Sequence, residues 1–460
     1  MSKTWTTSGP DLHLALPARV PRREALETAL RAAIREGRLA AGSRLPSTRA
    51  LALDLGLARG TVVEAYAQLR AEGYLGAKRG AGTWVAALAL AAPTAGARAA
   101  PAPPRPRFDF HPGQPDLSAF PRAAWVRALR RGLRDTPDAT LGYGDPRGRS
   151  ELREQLAVYV TRARGAVADP ERLVVCCGFR HGLSLVSRVL HARGARRIAI
   201  EQPCAPPHRA AAAASGVRLV PLPVDERGAR TDLLRTLRVD AAVLGPAHQY
   251  PLGVVLQPDR RAAAIEWART TRGVVIEDDY DAELRYDRQP VGALQALAPE
   301  HVAYGGTASK TLIPGLRLGW LLLPEELLAP VVELRAVEDV HVPATDQIAF
   351  AELLRSGAYD RHVRRMRARY RARRDRLVGM LAERVPAVTP TGAAAGLRVL
   401  LELPPHGATA AELCDHAAAR SLRVYAVEGR NAVLVGYGGL SEHETEAGFG
   451  LLCDLLAETY

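Results

Sequence analysis

Lys310 stands in the run Gly305-Gly306-Thr307-Ala308-Ser309-Lys310-Thr311-Leu312, and it is one of only three lysines in the chain, beside Lys3 and Lys78. The other 59 of the 62 basic residues are arginine. A guanidinium stays protonated and is no nucleophile, whereas a desolvated amine can lose its proton and condense with an aldehyde. A lysine kept inside an apolar stretch therefore points to amine chemistry. The plain alternative is a loop lysine with no role.

Three further groups could complete such chemistry. Glu277-Asp278-Asp279-Tyr280-Asp281 closes one apolar run, and Gly178-Phe179-Arg180-His181 leads from another into a helical segment whose free N–H groups would suit a phosphate. Arg317, seven residues after Lys310, can add a bidentate clamp on that phosphate. Lysine, carboxylate and phosphate cradle together describe a pyridoxal phosphate site, in which the lysine meets the aldehyde and the acid keeps the pyridine nitrogen protonated. Taken alone, an acid run after a strand is as readily a solvated or metal-binding end.

The elements that must position these groups follow from periodicity. Strand-like runs at 173–177, 197–200, 218–222, 241–244, 274–276, 302–304 and 318–323 alternate with helical segments, which predicts a mostly parallel sheet covered on both faces. Ligands of such sheets sit at the carboxyl ends of the strands, where the Asp278, Lys310 and Gly178 clusters fall.

The front of the chain reads differently. Apolar positions Leu26, Ala29, Leu30, Ala33 and Ile34 predict a first helix over 22–36, Ser47 or Thr48 caps a second through Leu55, and Gly56 turns into a third over 61–71, with Val62, Val63, Tyr66 and Leu69 inward. Residues 73–85 predict a hairpin with a basic, glycine-rich tip that could set Lys78 or Arg79 against phosphates. Arg59, at the start of the third helix, is placed to meet base edges. Residues 1–86 carry 13 basic and 7 acidic side chains within a chain of net charge +13, which favours a polyanionic partner over a protein-interaction module. Residues 87–107, with four prolines between Pro101 and Pro106, predict a semi-extended linker.

The length of 460 residues implies two or three domains. No run of 18 apolar residues predicts a membrane span, and the polar start lacks a secretory signal's apolar region. The five cysteines lack metal-site spacing and read as reduced thiols of a cytoplasmic protein, so no metal is expected. Nine arginines between Arg361 and Arg376 predict a long helix with Val363, Met366, Tyr370 and Leu377 inward and either a solvated outer face or an auxiliary phosphate-contacting one.

Residues 20–86 resemble the winged helix-turn-helix domain of GntR-type regulators through Arg38-Leu39, Gly42-Ser43-Arg44-Leu45-Pro46-Ser47-Thr48-Arg49, Thr61-Val62-Val63-Glu64-Ala65-Tyr66 and Gly80-Ala81-Gly82-Thr83. That resemblance implies operator DNA as partner and Arg49, Arg59, Thr61 and Gly82 as contacting positions, beside Lys78 and Arg79 of the basic hairpin tip. Residues 108–460 resemble fold type I aminotransferases through Tyr143-Gly144-Asp145-Pro146-Arg147-Gly148, Pro246-Ala247-His248-Gln249-Tyr250-Pro251-Leu252-Gly253, Glu277-Asp278-Asp279-Tyr280-Asp281 and Ser309-Lys310 with Arg317-Leu318-Gly319. Joined, the two halves are similar to the MocR branch of the GntR regulators.

The resemblance implies an α/β chain of three parts: a winged helix-turn-helix over 12–86, the linker over 87–107, and over 108–460 a large aminotransferase-like domain with a mostly parallel sheet and a smaller C-terminal α+β lobe. It further implies pyridoxal 5'-phosphate held by Lys310, Asp278 at the pyridine nitrogen, Tyr280 at the ring hydroxyl, and Gly178, Phe179, Thr307, Ser309 and Arg317 at the phosphate. His248 joins this set, and Tyr143 reaches it from a second copy, so a homodimer is expected, which could be domain-swapped.

Three departures from the family pattern stand out. The aromatic that follows Glu-x-Pro-x and stacks on the cofactor is Ala205 here, a common Gln-Gln pair is Arg180-His181, and the late-strand arginine is missing from Val433-Leu434-Val435-Gly436-Tyr437. Arg398 and Arg430 are the candidate substitutes for binding an effector carboxylate. The expected function is a DNA-binding regulator that senses pyridoxal phosphate, another vitamin B6 form or an amino compound. The alternatives are a working aminotransferase with an appended DNA-binding domain, or a large domain that serves only as a dimer scaffold.

Overall fold

The computed structural model describes residues 14, 16–17, 20–78, 80, 82–87, 106–287 and 291–460. The chain divides into two compact units, Met1–Pro104 and Arg105–Tyr460. Arg79, one of the expected DNA contacts, lies outside the described residues.

The first unit holds helices Arg22–Arg35, Thr48–Leu55 and Arg59–Ala71, followed by strands Leu75–Lys78 and Gly82–Val85. Ser47 caps the second helix by accepting a hydrogen bond from Ala50 N at 3.2 Å, and Gly56 ends it in the left-handed conformation (φ 62°) that glycine adopts without a Cβ penalty. Leu26, Leu30, Leu51, Val62, Tyr66 and Leu69 form its core, and Tyr66 donates to the carbonyl of Pro46 at 3.0 Å. Val63, expected inward, is 45% exposed. The inward stripe runs Val62, Ala65, Tyr66, Leu69 at helical spacing, so Val63 falls on the outer face. The hairpin is antiparallel, and a short strand, Arg44–Leu45, pairs with its second arm to give a three-stranded sheet.

The second unit is built on an eight-stranded sheet. Its spatial order is Leu173–Cys176, Gly319–Leu322, Val302–Thr307, Val274–Asp279, Ala241–Leu244, Arg197–Gln202, Arg218–Asp225 and Gly228–Ala229. The central pairings are parallel, and only Gly319–Leu322 and the short edge strand Gly228–Ala229 run antiparallel to their neighbours. Both faces are apolar and covered, as a mostly parallel sheet requires: Ile198, Ile276 and Leu321 pack under helix Phe179–Ala192, and Ala242, Leu244 and Val275 under helix Pro258–Thr271.

A smaller lobe carries the antiparallel strands Thr389–Thr391, Arg398–Glu402, Ala432–Gly436 and Tyr425–Ala426. Phe108 and Phe110 from the start of the unit enter its core with Leu413, Phe449 and Leu452, and Phe108–Asp109 pairs in parallel with Leu422–Arg423. The arginine-rich helix, Ala358–Arg384, buries Val363, Met366, Tyr370 and Leu377 as expected. Much of its charge serves packing. Arg373 is buried, pairs with Asp116 at 2.8 Å and donates to the carbonyl of Gly438 at 3.0 Å, while Arg369 bridges Asp116 and Glu442 and Arg376 pairs with Glu446. These bonds tie the helix to segments far away in the chain.

Among the described residues, no helix is long and apolar enough to cross a membrane.

Candidate functional site

The carboxyl ends of the central strands open on one cavity of about 520 Å³, lined among others by Gly113, Gly178, Phe179, His208, Tyr280, Thr307, Ser309, Lys310, Arg317 and Arg398. Lys310 follows the strand Val302–Thr307 directly, and its amine donates to the carbonyl of Gly113 at 2.9 Å. Burial pulls the amine's pKa below its ordinary value; Asp281 and Asp278 oppose that shift and Arg398 adds to it. An amine so placed gives up its proton more readily than a surface lysine, which is what attack on an aldehyde needs.

Strand alternation sorts the acidic cluster. Glu277 accepts from the backbone N–H groups of Leu294 and Gln295 at 2.8 and 2.9 Å, and Asp279 takes the Arg164 guanidinium at 2.6 Å and the Tyr304 hydroxyl at 2.7 Å. Both are buried and internally satisfied. Asp278, between them, points the other way: its Oδ1 is buried without a hydrogen-bond partner and its Oδ2 lies 3.3 Å from Nδ1 of His208. Burial raises the Asp278 carboxyl above the ordinary range, and His208 draws it back. A buried acid with a free oxygen calls for a donor.

Tyr280 and Asp281 form a second polar knot. The Tyr280 hydroxyl lies 2.8 Å from Nη2 of Arg398 and 3.2 Å from Nδ1 of His248, and that nitrogen is 2.9 Å from Asp281. Asp281 fixes the His248 ring and leaves Nε2 buried without a partner.

At the other end of the cavity, Gly178 (φ 81°) starts helix Phe179–Ala192. A Cβ at this position would meet the Arg317 guanidinium at 3.2 Å, and one at Gly305 would strike the Phe179 ring at 2.5 Å. Small residues thus let Arg317 and Phe179 close on the helix start. Thr307 Oγ1 accepts from Ser309 N at 3.2 Å and lies 2.9 Å from Ser309 Oγ, and Arg317 is exposed and donates to the carbonyl of Cys177. A helix N-terminus, two hydroxyls and a guanidinium are an anion's donor set.

Of the two arginines expected at an effector carboxylate, one is here. Arg398 is buried on the strand Arg398–Glu402, with its guanidinium carbon 4.4 Å from the centre of the Tyr250 ring; its Nε and Nη1 make no hydrogen bond, and Nη1 lies 3.8 Å from Oδ2 of Asp281. Arg430 is elsewhere: it pairs with Glu402 at 2.8 Å on a half-exposed edge and does not line the cavity. Tyr143 is 94% exposed and does not line it either. His208 was not anticipated from the sequence. Its only signal there is its position, three residues after Ala205, on the first turn of helix Pro206–Ala213.

Cys177, His181 and Asp339 bring ligand-type atoms within 4.8 Å of one another. However, both Asp339 oxygens already accept from the buried Arg335 at 3.0 and 3.1 Å, and Nδ1 of His181 accepts from Cys177 N at 3.1 Å.

In the first unit, Arg49 and Arg59 are exposed, Thr61 is half-buried on the first turn of the third helix, and Lys78 and Gly82 flank the hairpin tip.

Comparison with known proteins agrees with both halves. The family profile "Aminotransferase class I and II" matches residues 109–438, and "Bacterial regulatory proteins, gntR family" matches residues 22–85. The "HTH-type pyridoxine biosynthesis transcriptional regulator PdxR" of Corynebacterium glutamicum is 36% identical over 79% of this chain and 80% of its own. The "Probable rhizopine catabolism regulatory protein MocR" of Rhizobium meliloti is 34% identical over 79% of this chain and 78% of its own. Among solved structures, an archaeal alanine:glyoxylate aminotransferase superposes with a TM-score of 0.70 at 27% identity, covering 77% of this chain and 91% of that one. The chain belongs to the HTH-type transcriptional regulators of the MocR and PdxR kind, which join a gntR-family DNA-binding domain to an aminotransferase class I and II domain.

Proposed function

We propose that the large unit binds pyridoxal 5'-phosphate and that this binding, alone or followed by capture of an amino compound, sets the operator affinity of the winged helix. One observation carries the reading: the half-buried Lys310 amine, with its lowered proton affinity, opens on the same cavity as the Gly178 helix start and the Arg317 guanidinium. Asp278 and His248 are buried and are not among the residues lining the cavity, and the hydrogen-bond partners that Oδ1 of Asp278 and Nε2 of His248 lack are of the kind a pyridine nitrogen and a ring hydroxyl would supply.

Bound there, the cofactor supplies an aldehyde that takes up primary amines. The chain's own residues do the rest. Asp278 holds a proton at the ring nitrogen, Tyr280 and His248 hold the ring hydroxyl, and Gly178, Phe179, Thr307, Ser309 and Arg317 bind the phosphate. Arg398, with two nitrogens that make no hydrogen bond, binds the carboxylate of an effector that has one. Arg49, Arg59, Thr61, Lys78, Arg79 and Gly82 contact operator DNA, residues 87–107 tether residues 12–86 to residues 108–460, and two copies assemble so that Tyr143 of each reaches the other's cavity. The protein works where the DNA is, in the cytoplasm.

Titrating the purified chain with pyridoxal phosphate tests the cofactor reading. Wild type develops the visible absorbance band of a lysine–aldehyde adduct, and Lys310→Ala develops none; no band in wild type, or the same band in both, overturns it. Retention of Lys310, Asp278 and Tyr280 also leaves aminotransferase chemistry open to this site. Steady turnover of an amino acid and keto acid pair that disappears in Lys310→Ala would mark the protein as an enzyme as well.

A further inference from the structure

Four cations and a single carboxylate line the cavity. Arg180 and Arg317 stand by the start of helix Phe179–Ala192, Lys310 follows the strand Val302–Thr307, and Arg398 belongs to the smaller lobe. Glu428, also of that lobe, is the one acid among the described residues that line it. The backbone fixes its place. Between strands Tyr425–Ala426 and Ala432–Gly436, Val427 N donates to the carbonyl of Ala432 at 3.0 Å and Arg430 N donates to the carbonyl of Val427 at 3.2 Å. Gly429 takes φ 73°, so residues 427–430 form a type II turn with glycine where that turn needs a positive φ and Glu428 just before it. Val427 is buried with Leu252, Leu400 and Leu434, which gives the turn a packed base. Arg430 leaves the turn for Glu402, whereas Glu428 stays on the cavity. Burial raises the pKa of the Cys204 thiol; of the charges acting on it, Arg209 lowers it and Glu428 raises it, so the Glu428 carboxylate is within electrostatic reach of the cavity wall that Cys204 forms.

Glu428 is exposed and has no hydrogen bond or ion pair with any described residue. Asp278 and Asp281, the acids behind the cavity, already face His208 and His248. A phosphate at the helix start answers Arg180 and Arg317, and an effector carboxylate answers Arg398. Nothing in that set answers Glu428. We propose that Glu428 selects effectors with a second positive charge: a basic amino acid of the lysine or ornithine type, whose carboxylate meets Arg398, whose reacting amine lies toward Lys310 and whose side-chain ammonium is held at Glu428. Complementary charge draws such a side chain to the turn, and an acidic one is repelled there. A neutral side chain leaves Glu428 in water, so it is bound less tightly without being shut out. Because Glu428 is exposed, water and salt screen the attraction, and the selectivity it gives is moderate.

This inference rests on the cofactor and effector reading above, and the experiment separates them. The full chain saturated with pyridoxal phosphate is titrated with L-lysine, L-ornithine, L-norleucine and L-α-aminoadipate, and the change in the cofactor's absorbance band gives each dissociation constant. Norleucine matches lysine in carbon number and lacks its side-chain ammonium. Wild type is expected to bind lysine or ornithine roughly 2- to 5-fold more tightly than norleucine. Glu428→Gln removes that preference, and Glu428→Lys moves it to α-aminoadipate; thermal unfolding verifies that both variants are folded. Equal affinity of wild type for the basic amino acids and norleucine overturns the inference, as does a preference that survives in Glu428→Gln, and both results leave the cofactor reading intact. A band that none of the four amino acids changes overturns the effector reading and this inference with it. A wild-type chain that develops no band overturns the cofactor reading beneath both.

Discussion

Asp278, Glu277 and Asp279 show how one strand assigns different work to adjacent acids. The alternation of the strand turns Glu277 and Asp279 into buried structural acceptors and leaves Asp278 with a free oxygen. Glu201, near the end of strand Arg197–Gln202 two places away in the sheet, accepts from Gly245 N at 3.1 Å, and burial pushes its carboxyl up to about 8 from 4.5, with Asp278 adding repulsion. Because the folded protein keeps this proton where the unfolded chain releases it, the stabilising contribution is full below pH 4.5 and is lost as pH rises toward 8. Glu201→Gln keeps the acceptor and removes the ionisation. Thermal unfolding at pH 5 and pH 8 is therefore expected to fall less with pH in the variant, which should be the more stable of the two proteins at pH 8. An identical slope in both would show that Glu201 is ionised in the folded state throughout.

At the scale of elements, the periodicities of the sequence are met by helices Arg22–Arg35, Thr48–Leu55 and Arg59–Ala71 and by the seven long strands of the large sheet. Local pattern sufficed there because each element buries one face against a core that any neighbour of the right shape could supply. What pattern could not reach were choices made by distant partners. Val63 is apolar yet outward, since the inward stripe needed only one of two adjacent valines. Arg398 and Arg430 are both arginines near a late strand, but only the first is turned into the cavity, a choice fixed by Tyr280 and Asp281 more than a hundred residues earlier. The arginines of helix Ala358–Arg384 look like a charged face until Asp116, Glu442 and Glu446 arrive from other segments. His208 was hidden for the same reason, its contact with Asp278 being one of fold, not of motif. On the DNA side, the outer positions of the third helix and wing divide by role. Arg59→Ala is expected to cost about 1–3 kcal/mol on the preferred operator and to relax sequence preference. Lys78→Ala should instead weaken all sequences alike and lower the salt slope by about 1. Binding measured on specific and scrambled duplexes at several salt concentrations checks both, and interchanged behaviour would reassign the two residues.

At the scale of the whole molecule, a lysine-centred cavity and a DNA-reading head occupy separate compact units of one chain. Their union has a purpose only if occupancy of one changes the affinity of the other, and any such coupling must be reciprocal. The most direct test follows the absorbance band and the operator affinity in a single titration of the full chain with pyridoxal phosphate, using a duplex selected for binding to that chain. Operator affinity is predicted to shift by roughly 5- to 150-fold in step with the band in wild type and to stay constant in Lys310→Ala. A band that saturates while operator affinity remains unchanged, or an affinity shift that persists in Lys310→Ala, would contradict the account.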